Sequence, residues 1–263
     1  MEFRARHFGG PLLYRAPNQD GPYDNVPLEI IAQIGADGIS GQNVYFNDFI
    51  EWTGPLLDSA GAGGWKCTSV DGGGDAAEVV APLNTVTISN GGVLRITSND
   101  ADNDNTQIQM LGSPWKYRVG KRIWFFARVA PEDADDGEIG FGLILTSDVD
   151  MVHTFPEGLF FEKAETATKM DFHAKKDATD TEKTNVDSSA MTDGVFHVYG
   201  FYVDELGNVS VYYDGTEITA AAVATGNGGL VDDQNLTVAF QIQTGTTAVT
   251  SLDIDWVLVA QDR

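Results

Sequence analysis

The sequence predicts an all-β protein, an antiparallel β-sandwich preceded by an extended N-terminal arm. Three observations carry this expectation. From about residue 43 onward, apolar side chains recur with a period of two, as on strands. The apolar runs are separated by Gly, Asp and Asn, the residues of tight turns. No long segment shows a 3.6-residue period, and no internal repeat is present. A chain of 263 residues fits one large sandwich plus an arm, with boundaries at 1–42 and 43–263.

The arm is read from Pro11, Pro17, Pro22 and Pro27, four of the nine prolines, set among glycines and few periodic apolar positions. Proline fixes φ and removes a backbone donor, which disfavours both sheet and helix. The strands follow in order. Val93–Thr97, Arg122–Val129 and Ile139–Leu145 are apolar runs of strand length. Met170, Phe172 and Ala174 alternate with Asp171, His173 and Lys175. Val195–Val203 is apolar on both faces, as a central strand should be. A turn at 204–208 leads into Val209–Tyr213, and Asp214-Gly215 supplies the two positive-φ positions of a tight hairpin. Leu236–Thr244 and Leu252–Val259 close the chain, with Val238, Phe240, Ile242, Leu252, Ile254, Trp256 and Leu258 expected to point inward.

Sixteen basic residues stand against 39 acidic ones, a formal net charge of −23. A body this acidic is repelled by phosphates, so nucleic-acid binding is not expected. The charge is unevenly placed. Residues 1–15 hold Arg4, Arg6 and Arg15 against Glu2 alone, so the excess acid lies in the body. No apolar run is long enough to span a bilayer, and the first residues lack the apolar core of a signal peptide; a cytoplasmic site of folding and no membrane partner are expected. The single cysteine, Cys67, can form no internal disulfide.

The search for chemistry is mostly negative. Asn99–Asn105 offers alternating oxygen ligands, but Asn105 and Leu111 stand where an EF-hand needs Gly and Glu. A calcium loop of another type and a solvated turn both fit, and the turn is the simpler reading. The run 131–138 carries five carboxylates after Pro131 and reads as an exposed loop. Asp253 and Asp255 share one strand face, yet nothing in the sequence marks them as an acid–base pair. His7, His153, His173 and His197 have no metal-ligand spacing. No nucleophile elbow or phosphate loop is found, and no metal or cofactor is expected.

Tyr45–Phe49, Phe201–Asp204 with Gly207–Gly215, and Leu252–Val259 together resemble the concanavalin-A-like (laminin-G-like) jelly roll over residues 43–263. The fuller pattern is similar to a group of tailed-bacteriophage virion proteins. Its pieces are Gly92–Ile96, the Asp/Asn run, Gly120–Val129, Gly158–Lys163 and Val259–Arg263. The resemblance implies a capsid decoration (cement) protein without catalytic residues, sited on the outer surface of a virion. The sugar-cleaving branch of the superfamily carries a Glu-x-Asp-x-x-Glu strand, which is absent here, so the chain is expected not to be an enzyme.

Two functional expectations follow. The first is capsid decoration. Phe3, Phe8, Leu12 and Tyr14 would anchor the arm on the major capsid protein, and Arg4, Arg6 and Arg15 would pair with capsid carboxylates. A homo-oligomer, with a trimer as one option, would suit capsid symmetry. The alternative is carbohydrate binding on the exposed sheet face through Asp171, His173, Gln241, Gln243, Asp253 and Asp255, with surface glycans as partners.

Overall fold

The computed structural model describes residues 25–36, 42–49, 59–62, 64–70, 79–82, 92–98, 101–145, 151–152, 156–177, 179–218, 230–245 and 249–263. Phe3, Arg4, Arg6, Phe8, Leu12, Tyr14 and Arg15 lie outside these residues, as do His7, His153, Asn99 and Asp100.

Among the described residues, two antiparallel sheets of eight strands face each other. The first runs β14 (Thr216–Glu217), β13 (Val209–Tyr213), β12 (His197–Val203), β7 (Ile123–Pro131), β16 (Ser251–Asp262), β5 (Leu94–Thr97) and β4 (Val79–Pro82). The long strand β16 pairs with β7 along one side. On its other side it pairs first with β5, at residues 251–254, and then with β1 (Gln42–Asn47), at residues 257–262. The second sheet runs β11 (Thr179–Lys183), β10 (Asp171–Lys176), β9 (Gly158–Lys163), β8 (Gly137–Leu145), β15 (Leu236–Thr244), β6 (Asn105–Met110), β3 (Trp65–Val70) and β2 (Ser59–Ala62). The antiparallel sandwich is the expected architecture.

The core between the sheets is aromatic. Phe125 stacks on Phe201 at 5.2 Å, Phe141 on Phe161 at 5.3 Å, and Phe141 meets Tyr199 edge-on at 5.6 Å. Such pairs contribute roughly 0.5–1.5 kcal/mol each beyond the burial of their area. Val238, Phe240, Ile242, Leu252 and Ile254 point into this core, as the alternation predicts.

Trp256 and Leu258 do not. The register of β16 against β7 shifts between Ile254 and Trp256, a β-bulge that moves the inward set to Val257 and Val259. A period of two survives a bulge only by changing face. Trp256 and Leu258 therefore join Trp124, Phe126 and Val198 in a second apolar cluster on the outer face of the first sheet.

A short helix, α1 (Leu28–Ala36), covers that cluster. Residues 28–36 are thus helical rather than part of an extended arm. Pro27 opens the helix: its carbonyl accepts from the N–H groups of Ile30 and Ile31, and a proline there has no N–H to forfeit. Ile30, Ile31 and Ile34 then lie on one face and pack on the sheet. The Trp124 indole donates to the Gln33 side chain at 3.3 Å, fixing the helix against β7.

Two of the turns read from sequence are seen in detail. Asp214 and Gly215 have φ of 45° and 76°, as the hairpin between β13 and β14 requires. The acidic run closes on itself, with the Ala101 N–H donating to the Asp104 carboxylate and Asn103 at φ 68°. No helix among the described residues is long and apolar enough to cross a membrane.

Candidate functional site

The face of the second sheet that points away from the core is polar. Antiparallel pairing sets Gln107, Gln241, Gly140, Glu162 and Asp171 side by side across β6, β15, β8, β9 and β10. One step along the strands, Gln109, Ala239, Gly142, Phe160, His173 and Glu182 form a parallel row. On the other side of the first row, Asn105, Gln243 and Glu138 form a third.

A sheet face turned to water normally leaves its polar residues exposed. Here Gln107, Gln241, Gln243, Glu138, Glu162 and His173 are all buried. Part of the cover is Met151, which lies in the connection between β8 and β9 and folds back over the sheet. A Cβ placed on Gly140 would meet the Met151 Cβ at 2.8 Å, so the glycine is what lets Met151 lie flat there. The Met151 N–H donates to Gln241 Oε1, Gln241 donates to Gln243 Oε1 at 3.2 Å, and Gln243 donates to Asn103 Oδ1 at 3.4 Å. This amide chain fixes which oxygen and which nitrogen each glutamine presents.

At the other end of the face His173 sits between two carboxylates. Its Nδ1 is 3.1 Å from Asp180, its Nε2 is 3.8 Å from Glu162, and its ring stacks on Phe160 with centroids 5.0 Å apart. Burial works against the imidazolium, but the bonds and charges of Glu162 and Asp180 together outweigh it, so the His173 pKa is raised. Asp171 accepts from the Asn185 N–H at 2.6 Å, at the rim of the same face.

Of the six carbohydrate-binding candidates, the structure brings Asp171, His173, Gln241 and Gln243 onto this one face. Asp253 and Asp255 lie on the outer face of the opposite sheet. Asp253 is held by the Arg95 guanidinium through two bonds of 2.7 and 2.9 Å, and Asp255 is held by Arg128. Both carboxylates are committed to ion pairs that tie strands of that sheet together.

Glu138, Glu162, Gln107 and Asn105 were missed in the sequence. Gln107 belongs to β6, where Gln107 and Gln109 alternate with Ile108, a weak signal that was available. Glu138 and Glu162 sit on neighbouring strands as diagonal partners, roughly 7–8 Å apart at the backbone. Together with His173 they could hydrogen-bond sugar hydroxyls, and a pair of carboxylates is the minimal apparatus of glycoside cleavage. Among the described residues, no group of three or more His, Cys, Asp or Glu side chains is arranged to hold a metal ion.

No protein-family model matches this chain, and no curated protein matches its sequence. Solved structures do match its fold. An endo-1,3-beta-glucanase from Streptomyces sioyaensis superposes with a TM-score of 0.56 at 14% identity, covering 84% of this chain and 97% of the glucanase. The carbohydrate recognition domain of Emp47p gives 0.50 at 10% identity over 84% and 97%. An endo-beta-1,4-glucuronan lyase from the fungus Trichoderma reesei gives 0.50 at 11% identity over 82% and 94%.

The fold is therefore a jelly-roll β-sandwich, shared with a glucanase, a carbohydrate recognition domain and a glucuronan lyase. The expectation that the chain is not an enzyme is overturned, because the folds it matches include a glucanase and a lyase. It rested on the missing Glu-x-Asp-x-x-Glu strand. A search along single strands is blind to carboxylates that the sheet assembles from neighbouring strands, as it does Glu138 and Glu162.

Proposed function

We propose that this chain is a glycan-binding jelly-roll protein that takes its saccharide on the core-distal face of the second sheet. The observation that carries the reading is the burial of Gln107, Gln241, Gln243, Glu138, Glu162 and His173 together on one sheet face. Oriented amides and carboxylates beside an aromatic ring are the groups that recognise sugar hydroxyls and sugar ring faces. A fold does not fix a function, so the reading rests on these side chains and not on the superposition.

The test is a glycan array followed by calorimetry on the best saccharide, repeated with Gln241→Ala and His173→Ala. Binding lost in both variants, with unchanged circular dichroism, supports the reading. An array without a hit, or binding indifferent to both, overturns it. A reducing-sugar assay with Glu138→Gln and Glu162→Gln tells binding from turnover.

Service on a virion is compatible with such a body and rests on the sequence resemblance. In that setting Phe3, Arg4, Arg6, Phe8, Leu12, Tyr14 and Arg15 would bind the major capsid protein. Deleting residues 2–15 should abolish occupancy on purified capsids, and unchanged occupancy would remove the assignment.

A further inference from the structure

A cleft of about 350 Å³ opens at the far end of β16, away from the polar face of the second sheet. The loop at 111–122 forms one wall, and β1 with the end of β16 forms the other. Gln261 clamps that loop in place, its Oε1 accepting from the Lys116 N–H at 3.2 Å and its Nε2 donating to the Lys116 carbonyl. The Gly120 N–H donates to the Glu205 carbonyl at 2.9 Å and holds the loop from its other side.

The charge of this cleft is opposite to that of the molecule. Acids outnumber bases 39 to 16 in the chain, so a cation has every opportunity to find a carboxylate. Yet Lys116, Arg118 and Lys121 line the cleft, and among the described residues none of them is ion-paired with an Asp or Glu side chain. Lys116 donates to the Asp233 carbonyl, Lys121 donates to the main-chain oxygen of Arg263, the last residue, and Arg118 is exposed. The lining Asp262 side chain is taken by Arg122, through bonds of 2.7 and 3.3 Å. Asp232, nearby, is taken by Lys176. Asp262 and Asp232 are thus each held by another cation.

Beside the cations stand the amides Asn43 and Asn235, and the wall offers polar and apolar surface in comparable amounts, with Pro114 its one apolar side chain. The lining thus combines charge, amides and apolar surface. It suits a molecule that carries an acid group and hydroxyls together. The volume is in the lower part of the ~300–1,000 Å³ range of small-ligand sites. We infer that this cleft binds an acidic saccharide residue, with Arg118, Lys116 and Lys121 around its carboxylate or sulfate and the amides on its hydroxyls. Arg118 supplies the planar fork that matches such a group. The inference is independent of the sheet-face reading, since it uses other residues at another end of the sandwich.

Calorimetry on the whole chain with digalacturonate, cellobiose and inorganic phosphate tests it, beside sedimentation with phosphatidylserine vesicles. Digalacturonate should bind more tightly than cellobiose or phosphate and weaken with added salt. Arg118→Ala with Lys121→Ala should lower its affinity at least about tenfold, as expected for losing charged hydrogen bonds, with circular dichroism unchanged. Gln241→Ala should leave it intact. Digalacturonate binding no better than cellobiose or phosphate overturns the proposal, and so does binding that survives the double variant. Capture by vesicles without saccharide binding assigns the cleft to lipid headgroups and overturns it too. Uronate binding lost only in Gln241→Ala would place the sugar on the sheet face and remove the cleft.

Discussion

The Nδ1 of His173 lies 3.1 Å from a carboxylate oxygen of Asp180, one strand over in the same sheet. With Glu162 on its other side, the two carboxylates raise the His173 pKa against burial, which alone would lower it. A histidine whose folded pKa is raised stabilises the fold fully below its unfolded value, near 6.5. That contribution disappears as pH rises through the folded value, which lies higher. Thermal denaturation from pH 6 to 9 should show Tm falling across this window. His173→Gln should flatten that fall, and an unchanged slope would show that the imidazole does not titrate there.

Asp187 extends the same trend to lower pH. Burial pushes its carboxyl up to about 6, against the opposing effect of the Met170 N–H, which donates to it at 2.9 Å. A carboxylate raised in this way adds stability below its unfolded value of 3.8 and loses it as pH rises through about 6. The difference amounts to about 3 kcal/mol at neutral pH, to order of magnitude. Asp187→Asn should therefore level the stability profile between pH 4 and 6 while leaving the His173 window in place. Urea titrations at four pH values separate the two.

Asp253 and Asp255 should matter for stability and not for sugar. Arg95 bridges Asp253 to Glu132, whose carboxylate lies 3.2 Å from the guanidinium, and Arg128 holds Asp255 at the bulge. These pairs are partly exposed, so each Asp→Asn change should cost about 1–2 kcal/mol, between the surface and buried limits. Urea unfolding measures this. Any glycan affinity located on the second sheet should stay unchanged, and a loss there would return these residues to the site.

Alternation in the sequence revealed the strands because a half-buried strand must alternate, and Val238, Phe240 and Ile242 sit where it puts them. The Asp214-Gly215 hairpin was legible for a local reason, the cost of positive φ. What alternation cannot give is which sheet a strand joins. Gln241 and His173 share a face only because β8 and β9 lie between them, and Asp253 is excluded only because β16 belongs to the other sheet. The helix escaped notice because nine residues beside Pro27 offer barely two turns of pattern, and its stability comes from packing on Trp124 and Phe126. The bulge at Asp255 leaves no mark in composition at all.

Gly140 and Met151 provide the sharpest test of the covered face. The Met151 Cβ would stand 2.8 Å from a Cβ on residue 140, closer than two such atoms approach. Shortening the Met151 side chain cannot relieve that contact, because the atom concerned is its Cβ; the segment at 151–152 must move. Gly140→Ala should cost about 1–3 kcal/mol, the range for overpacking, and should loosen the bond from the Met151 N–H to Gln241. Amide hydrogen exchange at Met151 should then speed up. If the segment guards a saccharide site, the variant should also admit ligand faster while holding it less firmly. Exchange at Met151 unaltered by the added methyl group would mean that the segment does not rest on Gly140 in solution.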